Sequence, residues 1–247
     1  MSASRRSSSG RSKRAPGRRG AWFWLRRWLL LGSLVLVAVS VALVGLIRWF
    51  EPPYSMVMLQ RALQEGAAQQ HEWVDIEAIA PAMALAVVAA EDQRFPQHWG
   101  FDTAEILAAV ERHLDGGRLR GASTISQQVA RNLFLWQGRS FVRKGLEVWF
   151  TVLVEGLWPK RRILEMYLNF AETGPRRFGV GVAARQAFGV PAAEIDERRA
   201  ALVAAALPNP VRYRIEQPGR YLLQRRDWIL GQMHNLGPGY LADVLGR

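Results

Sequence analysis

The feature that most constrains this chain is an uncharged stretch from Trp28 to Ile47, dominated by Leu, Val, Ala and Trp. About 20 apolar residues in a row is the length a helix needs to cross the hydrocarbon core of a bilayer. Inside lipid every backbone N–H and C=O must find its partner within the segment, so a lone span of this kind has only the helix open to it. Gly32 and Gly45 fit, because glycine is tolerated in such helices. A cleavable signal peptide has a shorter apolar core, about 7–15 residues. Ala38-Val39-Ser40, the best imitation of a cleavage site, lies inside the run and not after it. The expectation is a retained transmembrane anchor over residues 28–48.

Charge orients that anchor. Ten of the 33 basic residues precede Phe50, with no acidic residue among them, and the other 23 stand against 21 acidic ones. The formal charge of +12 therefore describes the N-terminal tail and not the rest of the chain. An excess of Lys and Arg marks the cytoplasmic side of a span. Residues 1–27, rich in Arg, Ser and Gly, are expected to be a basic, disordered cytoplasmic tail. Beside a membrane helix, anionic lipid headgroups are a simpler partner for it than nucleic acid. The chain has no Cys, which removes disulfides and thiolate metal sites.

Residues 49–247 suit one extracytoplasmic domain, entered through the rigid Glu51-Pro52-Pro53. Helical spacing dominates: Ile106-Leu107-Val110, Phe141 to Leu157, Ile163 to Phe170, and Arg198 to Leu207. Gly116-Gly117, Gly121, Gly174-Pro175 and Pro208-Asn209-Pro210 read as turns between them. The expected class is mainly α, packed on one helical core.

Four segments carry candidate chemistry. The apolar run Met83 to Ala90 reads as a buried helix that delivers Glu91 and Asp92 to its C-terminal end. There the helix dipole and burial both disfavour a negative charge, which raises a carboxyl pKa toward the range useful for general acid/base work. The bland alternative is an acidic helix end fraying into solvent. The second segment, Gly121 to Gln128 with Arg131 and Asn132, is a Ser/Thr-rich loop entering a helix. Backbone N–H and hydroxyl groups can meet an anion there, or Ser123 or Thr124 can simply cap the helix. In the third, Arg143 and Lys144 share a helix face with Glu147, either as an exposed ion pair or as cations aimed at phosphate. In the fourth, Pro159 suits the first position of a helix. Lys160, Arg161 and Arg162 then crowd its first turn, where they oppose the dipole unless solvated or facing an anion.

Taken together, these segments resemble the peptidoglycan glycosyltransferases of family 51, found in class A penicillin-binding proteins and in monofunctional, single-domain biosynthetic transglycosylases. The family's Glu-Asp-x-x-Phe-x-x-His-x-Gly-x-Asp signature is matched at Glu91, Asp92, Phe95, His98, Gly100 and Asp102. Gly121 to Gln128 approximates its glycine-rich Gln-Gln signature. Arg143, Lys144 and Glu147 match its Arg-Lys-x-x-Glu element, and Lys160 to Asn169 its Lys-x-x-Ile-Leu-Glu-x-Tyr-x-Asn element. The likeness runs on through Gly179, Ala183-Ala184, Phe188-Gly189 and Ala204 to Pro210. Arg120 and Ala122 depart from the glycine-rich pattern, Ser126 replaces Thr, and Arg131 stands where Lys is common. The 247 residues leave no room for a transpeptidase domain, so the monofunctional branch is the expected one.

The resemblance implies a lysozyme-like, two-lobed α domain that polymerises lipid II into β-1,4-linked glycan, inverting the donor anomeric carbon and releasing undecaprenyl pyrophosphate. It implies Glu91 as general base and Glu147 as the second essential carboxylate. Asp92, Phe95, His98, Ser123, Thr124, Gln127, Gln128, Arg131, Asn132, Arg143, Lys144 and Lys160 would bind substrate. A divalent cation, Mg or Mn, would be shared between Glu147 and the pyrophosphate if one is used. The implied partners are lipid II, the growing glycan strand, the bilayer of the bacterial inner membrane and other cell-wall synthesis proteins. Two rival readings keep the same cleft: a lysozyme-like hydrolase of glycan strands, and a non-catalytic membrane scaffold.

Overall fold

The computed structural model of this protein describes residues 18–114, 116, 123–138 and 140–246. The cations before Arg18 and the departures at Arg120 and Ala122, with Gly117 and Gly121, lie outside the described residues. Packing divides the chain between Leu43 and Val44.

The first unit contains most of helix α1, Arg18–Ile47. Its apolar side chains, from Trp22 through Leu29, Leu34 and Leu36 to Leu43, stand exposed on all sides. The stretch Trp22–Ile47 is long and apolar enough to cross a membrane. A helix that is apolar all round and unburied by its own protein is suited to lipid. The helix begins earlier than the expected anchor, so residues 18–27 continue it. Trp22, Phe23, Trp24 and Leu25 prolong the apolar run, and Arg26 and Arg27 have stems long enough to reach a headgroup layer.

The second unit is mainly helical, as expected. Helix α2, Met56–Glu65, is capped by Ser55, whose Oγ accepts from the Met58 N–H at 3.2 Å, and ends at Gly66 in the left-handed region. Then follow α3, Pro81–Glu91; α4, Thr103–Leu114; α5, Ile125–Phe134; and α6, Phe141–Leu157. After these come α7, Lys160–Phe170; α8, Val180–Phe188; α9, Glu197–Ala206; α10, Arg220–Leu236; and α11, Ala242–Leu245. Three short strands form the one sheet among the described residues: β1, Gln70–His71; β2, Glu172–Gly174; and β3, Arg177–Phe178. β3 is central, parallel to β1 and antiparallel to β2.

Helix α3 is the core of the domain. Met83 through Ala89 are all buried, and α3 packs on α9 and α10. The facing run Ala200 to Ala206 is equally buried and mostly Ala, which lets the two backbones approach closely. On the other side α5 packs against α6 and α7, where Ile163 to Phe170 have no exposed face. One contiguous apolar cluster joins these elements.

Pro159 sits one position earlier than expected, at the N-cap of α7. Its backbone is extended and its carbonyl accepts from Arg162 and Ile163. The three cations of that first turn all find partners. Lys160 pairs with Glu155 at 2.8 Å, Arg161 donates to the Leu245 carbonyl at 2.6 Å, and Arg162 pairs with Glu165 at 2.6 Å. Arg162 also donates to the carbonyls of Ile47 and Phe50, and Trp158 Nε1 donates to that of Val44. These bonds fix the chain where it enters the domain.

Candidate active site

The site is built where the C-terminal end of α3 meets the N-terminal half of α5. Glu91, the last residue of α3, directs its Oε2 to Gln128 Nε2 at 2.9 Å, and Gln128 Oε1 lies 3.5 Å from the Tyr167 hydroxyl. Burial pushes the Glu91 carboxyl above its ordinary value, and the Asp92 charge adds to this. The Gln128 hydrogen bond and the cations Arg225 and Arg131 pull the other way. Tyr167 is held well above its ordinary value by burial and by the facing Glu91 charge. It therefore stays a neutral hydroxyl.

A cleft of about 480 Å³ opens beside this pair. Gln128, Arg131, Asn132 and Tyr167 form one wall, with Arg143 and Trp136 near them. Arg61, Glu172 and Asn209 line it as well. Among the described residues Arg131 forms no ion pair, so its charge is available to the cleft. Arg143 donates to Glu147 Oε2 at 3.0 Å and Lys144 to Oε1 at 2.5 Å. Glu147 is 1% exposed, whereas half of the Lys144 side chain is open. The bland reading of this trio as an exposed helix pair is thus set aside, because its carboxylate is buried behind its cations. Glu172 is raised above its ordinary value by burial, tempered by Arg61 at 3.3 Å.

Glu91, Lys144 and Glu147 stand behind the lining residues and not among them, and the remaining sequence candidates do not line the cleft either. They hold it up. Thr124, not Ser123, is the N-cap of α5: its hydroxyl and the Gln127 side chain form a reciprocal capping box, both buried. Ser123 lies half-buried just ahead of it. Asp92 Oδ2 accepts from the Ile125 N–H at 2.9 Å, so the second carboxylate sits on the positive end of α5. His98 Nε2 lies 2.8 Å from Asp92 Oδ1 and locks it in place. Phe95 is wholly buried, with Lys160 Nζ 4.5 Å above its ring. The same Lys160 meets Glu155, which also receives the buried Ser126 hydroxyl.

Sequence reasoning missed Glu155, Tyr167, Arg61, Glu172 and Arg225. For Glu155 a signal was present. Glu147, Thr151 and Glu155 recur every four residues of α6 and so share one face. That face meets Gly100. Gly100 has φ of +79°, and a Cβ there would lie 2.8 Å from Thr151 Cγ2 and 2.9 Å from Glu155 Cγ. Its carbonyl accepts the Thr124 hydroxyl at 2.7 Å, tying the loop after Glu91 to the start of α5. Gly100→Ala is expected to cost about 2–5 kcal/mol, from the left-handed backbone and from overpacking. A urea titration of the purified variant measures it, and an unchanged midpoint would refute this role for the glycine.

Among the described residues no three acidic or histidine side chains converge. Glu147 spends both oxygens on Arg143 and Lys144.

A half-buried carboxylate with a raised pKa, joined to a cleft walled by guanidinium groups, is the equipment of an acid/base enzyme acting on an anionic substrate. The Transglycosylase family model matches residues 58–234. A biosynthetic peptidoglycan transglycosylase of Xylella fastidiosa (strain M23) is 52% identical over 229 residues, 90% of this chain and 94% of that protein. Its namesake in Xanthomonas campestris pv. campestris (strain B100) is 50% identical over 222 residues, covering 87% and 90%. That of Pectobacterium carotovorum subsp. carotovorum (strain PC1) is 48% identical over 228 residues, covering 90% and 93%. This chain belongs to the transglycosylase family.

Proposed function

We infer that this chain is a peptidoglycan glycosyltransferase that polymerises lipid II, and that Glu91 is its general base. The observation that carries the reading is Glu91 itself, half-buried at the end of α3 and joined through Gln128 to a cleft lined by Arg61, Arg131 and Arg143. Glu91 takes the proton from the acceptor sugar's 4-hydroxyl, and that oxygen attacks the donor's anomeric carbon from the face opposite the leaving group. The bond to the pyrophosphate oxygen breaks with inversion, and the leaving group departs as undecaprenyl pyrophosphate. Negative charge grows on that oxygen in the transition state. Arg131, Arg143 and Lys144 lower the barrier by meeting the charge with groups already in place. Glu147 orients the last two.

In this reading residues 1–27 lie on the cytoplasmic side of the bacterial inner membrane, residues 28–48 anchor the chain in a single pass, and residues 49–247 work outside the cytoplasm. The charge asymmetry favours that orientation. Trp22, Trp24 and Trp28 at one end of the span, and Trp49 and Tyr54 at the other, are exposed and suit its two interfaces. The anchor keeps the cleft beside a lipid-linked substrate and raises its effective concentration.

The full chain, purified with its anchor and supplied with lipid II, is expected to form polymer that a muramidase digests. Shortening of glycan in purified sacculi without polymer formation would instead favour a hydrolase. A folded chain that binds lipid II and does neither would be a scaffold.

A further inference from the structure

We propose that Arg225 of α10 is a positioning residue for this reaction, holding the carboxylate end of α3 and supplying a positive charge that persists when the cleft is occupied. The inference rests on the reading of Glu91 as base.

The last turn of a helix leaves carbonyls without intrahelical partners. In α3 three of them are answered differently. The Val88 carbonyl accepts the Asp92 N–H at 3.0 Å, and the Ala89 carbonyl accepts Gln93 Nε2 at 3.1 Å. The Ala90 carbonyl, next to Glu91, accepts the Arg225 guanidinium at 3.3 Å. Trp228, one turn along α10, lies 4.2 Å from that guanidinium and stacks it in place. The same C-terminal region grips the residues just past Glu91. Gln232 Oε1 accepts from Gln93 Nε2 at 3.1 Å, and the Tyr240 hydroxyl donates to the Gln93 carbonyl at 2.6 Å. Arg225, Trp228, Gln232 and Tyr240 lie outside the four segments that carry the family resemblance.

The groups facing Glu91 are Asp92 beside it, Gln128 and Arg131 from α5, Tyr167 from α7 and Arg225 from α10. Tyr167 is neutral, which leaves two cations to offset burial and Asp92. They are not equivalent. Arg131 lines the cleft and would be engaged by an anionic substrate. Arg225 is bound to the backbone of α3 and, like Glu91, stands behind the residues that line the cleft. Its charge stays with Glu91 through the catalytic cycle, and at a helix C-terminus a cation also complements the dipole.

The test is the pH dependence of lipid II polymerisation by the full chain, wild type against Arg225→Met, Arg225→Gln and Arg225→Lys. Loss of the charge is expected to move the acid limb of log kcat/KM to higher pH by about one unit. The deficit of the Met and Gln variants then grows as pH falls through the limb and approaches about tenfold below it, while above the limb it vanishes. The Lys variant should restore the limb. Should Arg225→Met not fold, Arg225→Gln keeps a donor for Ala90 without the charge. An unmoved limb in either folded neutral variant, or an equal shift in the Lys variant, overturns the inference. Glu91→Gln measured alongside separates the two readings. If it polymerises at the wild-type rate, the base assignment fails. If it is slow while the limb of Arg225→Gln stays put, only the role of Arg225 fails.

Discussion

Glu91→Gln is expected to slow lipid II polymerisation by about 10²–10⁴-fold, the loss typical of removing a positioned general base, with the chain still folded. Gln is nearly isosteric and can still hydrogen-bond Gln128 once one amide turns over, so packing behind the cleft is preserved. What disappears is the acceptor for the 4-hydroxyl proton. The same substitution should stabilise the protein at neutral pH. Because burial raises its folded pKa, Glu91 binds its proton more tightly in the folded than in the unfolded state. Below the ordinary value of 4.5 both states are protonated and nothing is lost. As pH rises from there to the folded pKa, the unfolded state ionises first and stability falls. The variant escapes that cost, so its thermal midpoint should exceed the wild type's at pH 7.5, with the gain vanishing near pH 4. Polymerisation at the wild-type rate by a folded Glu91→Gln would sink the mechanism.

Glu147→Gln is expected to cut polymerisation by about 10²-fold, within the range seen when one preorganised electrostatic contact is removed from a transition state. It should also destabilise the fold. Two cations converge on this one buried carboxylate, and a neutral amide leaves Arg143 half-buried without its counter-charge. Breaking such a pair from one side costs about 3 kcal/mol, which in a chain of this size lowers the thermal midpoint by about 6–12 °C. Assays well below that midpoint separate the two effects. A destabilised variant that still polymerises like wild type would make Glu147 a purely structural partner of Arg143 and Lys144.

The two carboxylates differ in how visible they were in the sequence. Glu91 could be found because an apolar helix with no polar residue from Met83 to Ala90 must be buried, so whatever ends it must be presented at the edge of the core. Glu147 was ambiguous, since spacing on a helix tells which residues share a face but not which way the face points. The helical segments were legible for the same reason as Glu91: their apolar periods are long. Their boundaries shifted by a residue or a few where capping decided them, as at Pro159, and α1 ran on to Arg18 because aromatic residues continue its apolar face.

The division of labour within the matched segments was hidden. Asp92 and His98 sit beside Glu91 in sequence, yet they serve the N-terminus of α5, 33 residues further on. Lys160 reads as a phosphate ligand but faces Glu155 and the ring of Phe95. The chain's residue order alone determines an N-terminal helix long and apolar enough to cross a membrane, a mainly helical domain and the chemical inventory of an acid/base site with cations, because helix period, apolar run length and charge asymmetry are local properties. Only the tertiary structure decides which cations face the cleft, which are consumed by buried carboxylates, and that α10 reaches back to the end of α3. Those outcomes depend on desolvation and on contacts between residues more than a hundred positions apart, as Arg225 and Ala90 are. Such energies come into being only when the core closes around them.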